Sequence, residues 1–487
     1  MKKFFATTPI YYVNDIPHLG HAYPTVAADV ITRYFKQKGY DARLLTGTDE
    51  HGSKIAEAAK KHGKQPKEYA DEISEEFKKA WKKLNIKYVR FIRTTDEDHI
   101  KTAQDFLQKL YDRGAVDPKP RLYKGLYCVG HEKFMSEEEL VNGLCPDHQT
   151  KPIEHSEENY YFKLSGYRRK LEEFISSDQI KILPQHKKNE ILGKLKLGLE
   201  DISISRANLE WGIPLPFDKT HTSYVWIEAL INYYTYGSQN NVWPADLHLV
   251  GKDILWFHAV IWPAMLLAIE EELPKTIFAH GFFTIAGQKM SKTIGNVISP
   301  DDLVKKYGVD GTRYVLLAAF PFGEDGDFSW DLFDRLYNAD LANGLGNLVA
   351  RVAKLCEQNN IEAPEGPKEF DPKMTKFLEE FKFNEALFHI WSEISDADKK
   401  VNLEKPWELS GEKAKEVLED LVKRIQYIAY NLQPFLPETS EKILKQFSGE
   451  IKSESGSHYP SVSRRDFQRN HYFYLSHAKS RDQNFKN

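Results

Sequence analysis

Over its first hundred residues the chain alternates short apolar runs with longer helical patterns, a rhythm satisfied by a parallel sheet covered with helices. Phe4–Ile10 reads as a strand. Between His21 and Lys38, Val26, Ala27, Val30, Ile31, Tyr34 and Phe35 recur at helical spacing, and Gly39 stands where a C-terminal cap belongs. Ala42–Leu45 is a second strand; helices are predicted from about Ser53 and Pro66, and over Glu97–Arg113 with Gly114 closing the last. From Asp117 to Pro216 short hairpin-like pieces surround a Cys/His cluster, which predicts an inserted domain. The alternation then resumes with a helix over Tyr224–Tyr236. A strand at Leu247–Val250 runs through Gly251 into a helix over Asp253–Glu271, and Phe278–Lys292 reads as strand, turn and loop. Beyond Asp331 the pattern is amphipathic helix to about residue 448, broken near Ala363–Pro372, so an all-α domain is predicted. Residues 451–487 carry 7 Lys/Arg against 3 Asp/Glu with no period, and this tail is expected to be disordered.

A length of 487 residues suits about three domains. With 67 Lys plus Arg against 71 Asp plus Glu the chain is no polycation, so any contact with nucleic acid is local. Ala259–Ile269, the longest apolar run, contains Pro263 and is too short to cross a bilayer, so no membrane partner is expected. Thr7, Thr8 and Pro9 break the apolar start, which reads as a buried first strand and not a leader. Three cysteines, Cys128, Cys145 and Cys356, are too few for a disulfide scaffold, and a reducing cytoplasm is expected.

Pro17-His18-Leu19-Gly20-His21 follows the first strand and opens the first helix. Two imidazoles three apart share the first turn, Gly20 lets a ligand approach the backbone, and the helix N-terminus favours an anion. This is a phosphate-binding arrangement. Gly287-Gln288-Lys289-Met290-Ser291-Lys292-Thr293 puts two lysines on a loop in the same α/β region, where their ammonium groups could follow charge growing on a pyrophosphate leaving group. Such a loop taken alone is more often solvated surface. In the insertion, Cys128-Val129-Gly130-His131 and Cys145-Pro146-Asp147-His148 form two C-x2-H pairs. Four soft or borderline ligands at this spacing suit one tetrahedral zinc, structural because no coordination position is left open.

The H-L-G-H and K-M-S-K-T sequences resemble the two signatures of class I aminoacyl-tRNA synthetases. Thr8–Asn14, Gly47–Gly52, Tyr224–Leu230 and Leu249–Asp253 narrow the resemblance to the methionyl-tRNA synthetase family, from Lys3 to about Phe447. The resemblance implies an α/β fold: a Rossmann-like parallel-sheet catalytic domain interrupted by a zinc-knuckle insertion and followed by an all-α helical-bundle anticodon-binding domain. The expected segments are 1–116 and 217–275 for the sheet, 117–216 for the insertion, 276–335 for the lysine loop and stem-contact region, 336–450 for the bundle and 451–487 for the tail.

The likeness further implies that methionine is activated by ATP with Mg2+ to methionyl-adenylate and then passed to tRNA(Met), initiator tRNA included. His18, His21, Lys289 and Lys292 would stabilise developing phosphate charge. Gly20, Gly251, Asp253, Met290 and Ser291 would contact ATP, with Asp253 on the ribose. Ile10, Tyr12, Asp49, Trp226, Ala229, Leu230, Tyr233 and His258 would enclose methionine, with Asp49 on its ammonium. Asn347, Arg351 and Trp407 would read the anticodon; the family-independent expectation is that Trp407 is bundle core and Arg351 a surface charge. Leu230 stands where some relatives have proline, and the two histidines make the zinc set less thiolate-rich than in many relatives. A monomer is expected. Another class I synthetase, or a nucleotidyltransferase using H-x-G-H, is the alternative.

Overall fold

The computed structural model describes residues 1–128, 133–135, 137, 140–146, 150–207, 209–289, 297–454 and 458–462. They form two compact units. One comprises Met1–Ile16, Gly39–Lys79 and Lys87–His280; the other comprises Pro17–Lys38, Ala80–Ile86 and Gly281–Asn487. Among the described residues no helix is long and apolar enough to cross a membrane.

The first unit is built on six strands: β1 (Lys3–Tyr12), β2 (Asp41–Asp49), β3 (Arg90–Arg93), β4 (Lys181–Leu183), β5 (Leu247–Gly251) and β6 (Thr276–His280). Their order is β3-β2-β1-β5-β6-β4, and every neighbouring pair is parallel. Such strands are buried on both faces, which explains their near-continuous apolar runs. Phe5, Leu45, Ile92, Val250 and Ile277 from the sheet join Phe106, Trp262 and Met265 from covering helices in one core. From β1 the chain builds outward through β2 and β3 and later adds β5 on the opposite side, so the order reverses between β1 and β5. Open α/β sheets bind ligands at the C-terminal ends of the strands flanking such a switch point.

Pro9 sharpens this opening. Proline has no N–H for the ladder, and in a central strand it is confined to irregularities. Accordingly β1 pairs with β5 only at Ala6 and Thr7, and its register with β2 shifts between Thr7 and Ile10. Beyond the shift, Ile10–Tyr12 stays with Gly47–Asp49. Glycine is required at 47, because a Cβ there would lie 1.9 Å from the Ile92 carbonyl oxygen.

The expected insertion over 117–216 needs correction. Its hairpins are present as a three-stranded antiparallel sheet of Lys133–Met135, Arg121–Cys128 and Ile153–Asn159. Lys181–Leu183, however, is β4, the edge of the parallel sheet, paired to β6. Three residues ending before Pro184 are too few for a periodicity signal, and only the long-range pairing defines the strand.

The second unit contains the helix Leu19–Gln37, expected instead to belong with the rest of 1–116. Within this unit Tyr23 packs edge-on against Phe283 and Phe322, and Asp29 pairs at 2.7 Å with the fully buried Arg313 of the helix Pro300–Ala318. Arg313 also donates to the carbonyls of Leu84, Pro434 and Phe435, so its charge is paired and each of its three nitrogens has a partner. Helices Asn347–Gln358, Phe383–Glu404, Gly411–Leu432 and Pro437–Gln446 account for most of the described residues after 346. Pro406-Trp407 does not open a long helix; it forms a single 3-10 turn, Pro406–Glu408, after left-handed Lys405. The tail expected to be disordered from residue 451 is ordered at its start: Ile451 and Tyr459 are buried, the Tyr459 and Thr439 hydroxyls lie 2.6 Å apart, and Val462 exchanges backbone hydrogen bonds with the Asn338 side chain. Isolated apolar residues spaced eight apart carry no period, although each fills a place on the helices. Residues 463–487 lie outside the described residues.

Candidate active site

In the first unit, the strand ends at the switch point bring together the residues assigned to methionine. Tyr12 ends β1 opposite Asp49 at the end of β2, and Asp49 is buried. Trp226, Ala229 and Leu230 lie on the helix Val225–Leu230, and Tyr233 on the following helix Asn232–Gln239. The Tyr12 ring meets the Trp226 indole edge-on at 5.7 Å, and Phe257, which sequence reasoning missed, stacks on the same indole at 4.4 Å. Lys54, also missed, holds its ammonium 5.7 Å from the centre of the Tyr12 ring. Ile10 is half-buried against this core. Gly251 ends β5, and Asp253 is exposed in the turn that follows.

His258 sits in a π-helical stretch, Phe257–Ile261, a distortion that often re-aims side chains at functional sites. Its Nδ1 lies 2.9 Å from the Ile254 carbonyl and must donate to it, which makes Nε2 the acceptor of the Tyr233 hydroxyl at 2.9 Å. Burial pushes the imidazole down to about 4, so it is neutral in this role. His248, on β5, contacts Thr7 Oγ1 through Nδ1 at 2.7 Å and packs on the Tyr233 ring; burial, with the His258 ring nearby, holds it well below the ordinary histidine range.

These two buried histidines predict acid sensitivity. In the unfolded chain each takes up a proton near pH 6.5, whereas in the fold His258 does so only near pH 4. Between those values the folded chain binds fewer protons, so their stabilising contribution is full above about pH 6.5 and is lost as pH falls, about 3 kcal/mol for His258 once pH is below 4. The thermal midpoint at pH 5.5 is expected several degrees below that at pH 7.5. A midpoint that does not move contradicts the neutral, buried state of both rings.

In the second unit His18 and His21 form a reciprocal cap on the helix Leu19–Gln37. His18 Nδ1 accepts from the Gly20 N–H at 3.0 Å, and His21 Nδ1 accepts from the His18 N–H at 3.2 Å. The rings stack with centroids 3.9 Å apart. With both Nδ1 atoms accepting, each neutral ring carries its proton on Nε2. Burial, and then the neighbouring His18, lowers the His21 pKa well below 6.5. Two Nε2–H donors thus stand at a helix N-terminus, where backbone dipoles already favour an anion. The Leu19 N–H donates at 2.9 Å to the carbonyl of Ile298, just beyond the lysine loop. On its near side that loop leaves a tight hairpin, Phe283–Ile285 with Gln288–Lys289, turning at Ala286 and Gly287 with positive φ at both. Asp327 secures the turn by accepting from Thr284 Oγ1 at 2.7 Å and the Gly287 N–H at 2.9 Å. Lys289 ends the hairpin; Met290, Ser291 and Lys292 lie outside the described residues.

Of the metal candidates, Cys128 and Cys145 are fully buried in one small cluster with Met135, and neither is in a disulfide. His131 and His148 lie outside the described residues. In the helical region Asn347 is exposed, and Arg351 donates to Asp398 at 2.7 Å and Asn402 at 2.8 Å. Trp407 is 51% exposed, which excludes its expected alternative role as bundle core.

A six-stranded parallel sheet with a buried Asp49 and an aromatic cluster at its switch point, a histidine-capped helix and a glycine-turned lysine loop define a class of nucleotide-activating enzyme, and the family described as "tRNA synthetases class I (M)" matches residues 4–152 and 147–353. The methionine--tRNA ligase of Clostridium acetobutylicum is 45% identical over 479 residues, covering 92% of this chain and 74% of that protein. That of Thermotoga maritima is 42% identical, covering 92% and 76%. The Mycobacterium tuberculosis methionyl-tRNA synthetase in complex with methionyl-adenylate superposes with a TM-score of 0.86 at 34% identity, covering 94% of this chain and all of that one. The chain belongs to the methionine--tRNA ligase family of class I synthetases.

Proposed function

We propose that this chain joins methionine to tRNA(Met) in two stages, first forming methionyl-adenylate and pyrophosphate from methionine and ATP, then transferring the methionyl group to the terminal ribose of the tRNA. The observation that carries this reading is the buried Asp49 carboxylate at the switch point, paired in register with Tyr12, whose ring meets Trp226, in a chain of this family. Asp49 holds the substrate ammonium through a charge-assisted contact. Ile10, Tyr12, Trp226, Ala229, Leu230 and Tyr233 enclose the polarizable thioether, and His258 fixes the Tyr233 hydroxyl.

The methionine carboxylate attacks the α-phosphorus, so no enzyme nucleophile is needed; the protein contributes position and electrostatic stabilisation. His18 and His21 donate Nε2–H to phosphate oxygens, Gly20 allows the phosphates close to the helix N-terminus, and Lys289 and Lys292 offset charge on the departing pyrophosphate. Gly251, Met290 and Ser291 line the nucleotide, Asp253 accepts from its ribose, and ATP enters with Mg2+. Pyrophosphate exchange into ATP tests the reading: among the twenty amino acids only methionine should support it, and exchange driven by another amino acid, or none, would refute it.

Cys128, His131, Cys145 and His148 are the proposed ligands of one structural Zn2+. Cys128 and Cys145 are fully buried in one small cluster with Met135, which fits a metal cross-link at the two cysteines. About one zinc per chain is expected by elemental analysis, and Cys145→Ser should lower that content and raise proteolysis between Asp117 and Pro216. Fully active protein free of transition metal would remove the site. Asn347, Arg351 and Trp407 are proposed to read the anticodon, in initiator tRNA as in elongator tRNA. A cytoplasmic monomer completes the reading.

A further inference from the structure

Beneath the methionine pocket lies a buried ionic node that the chemistry above does not use. The Glu228 side chain is fully buried. Its Oε1 contacts His51 Nδ1 at 2.8 Å and its Oε2 contacts His99 Nε2 at 3.0 Å, while His99 Nδ1 lies 3.1 Å from Thr235 Oγ1. A charge taken out of water is costly unless paired and hydrogen-bonded, and an isolated carboxylate at this place on an otherwise apolar helix would be strongly destabilising. Burial alone would raise the Glu228 pKa; the His51 and His99 imidazoles outweigh burial and keep the carboxyl below its ordinary range.

Helical spacing separates Glu228 from the pocket. At about 100° per residue, Trp226, Ala229 and Leu230 fall on one side of Val225–Leu230 and Glu228 on the opposite side. It therefore anchors the helix from behind. Its two imidazole partners lead to the other parts of the pocket, His51 from the segment after Asp49 and His99 from the helix Glu97–Asp112. His51 is two residues beyond Asp49, in a segment whose backbone is held by the Trp211 indole N–H donating to the Glu50 carbonyl at 2.6 Å and by the Gly52 N–H donating to the Trp211 carbonyl at 3.0 Å. Glu50 turns elsewhere, taking two hydrogen bonds from Arg93 at 2.6 and 2.8 Å. His99 reaches through Thr235 to the helix that carries Tyr233.

We infer that Glu228 is a positioning residue for methionine: through His51 and His99 one carboxylate sets the spacing between the ammonium-binding Asp49 and the apolar wall of Trp226, Ala229, Leu230 and Tyr233. The inference rests on the methionine reading of this pocket. Glu228 touches no substrate, so its loss acts on the fit of methionine and leaves the nucleotide contacts in place.

The test is methionine-dependent pyrophosphate exchange by the full chain and by Glu228→Gln, which keeps the side-chain shape and removes the charge. The methionine KM should rise about tenfold or more while the ATP KM stays within about twofold, since a displacement of about 1 Å in a binding group is felt strongly by the substrate it holds. His99→Gln should move the same constant in the same direction. If Glu228→Gln cannot be recovered folded, His51→Gln is read in its place. Variants with an unchanged methionine KM, or with both KM values raised alike, overturn the inference and leave Glu228 a structural strut. An unsubstituted chain that exchanges pyrophosphate with no amino acid would instead overturn the methionine reading itself, so the two failures are distinct.

Discussion

Replacing His21 with alanine is expected to slow methionyl-adenylate formation about 10²–10³-fold, the range typical for removing one preorganised donor to developing charge. The methionine KM should change little, because every residue assigned to methionine lies on the parallel-sheet unit and none on the helix that His21 caps. The structure also says what kind of group is lost. His21 is neutral, its Nδ1 engaged by the His18 N–H, so the variant loses an Nε2–H donor and one capping contact. The cap costs about 1 kcal/mol of stability, too little to explain a loss of this size. Single-turnover adenylate synthesis separates the two effects, and Lys289→Ala should show a loss of the same order. Normal single-turnover rates in either variant would end the phosphate-clamp assignment.

Trp407→Ala is expected to weaken aminoacylation of tRNA while sparing pyrophosphate exchange. A stack between a base and an aromatic ring is worth about 1–3 kcal/mol, which corresponds to about 5–150-fold in affinity. A half-exposed indole on a single turn, next to a left-handed lysine, is available to a splayed base as a core tryptophan is not. Arg351 is already oriented by Asp398 and Asn402, so it offers a guanidinium plane at low entropic cost. Arg351→Ala should therefore fall in the same assay. If Trp407→Ala lowers the melting temperature sharply and harms both reactions alike, the indole is structural and the anticodon role is lost.

Sequence patterns settled some of these features because their cause is local. The helix after Pro17 follows from a 3.6-residue apolar period, and the two histidines three apart at its start were legible as sharing its first turn; that they cap it reciprocally is a finding of the structure. The turn before the lysine loop was legible in Gly287, which takes positive φ without a steric cost; the positive φ at Ala286, which a residue with a Cβ disfavours, and the hairpin it closes were not. Asp49, Tyr12 and Trp226 were identified by resemblance, and their meeting, Asp49 opposite Tyr12 and Tyr12 against Trp226, depends on parallel strands and helices that the local pattern predicted in kind.

Other features depended on partners far along the chain. Lys181–Leu183 is a strand only because β6 lies beside it. Glu228 is an acidic residue in an apolar helix, and nothing within a few positions distinguishes a solvated carboxylate from one paired with imidazoles 177 and 129 residues away. Phe257 and Lys54 join the cluster through contacts to Trp226 and Tyr12 that lie beyond any one element. The sequence by itself determined the periods, caps and turns, since these are interactions among neighbours on one element. Only the tertiary structure decided which buried charges meet, which strand forms the sheet edge and which tryptophan faces solvent, because burial and pairing depend on what the rest of the chain brings to the same place.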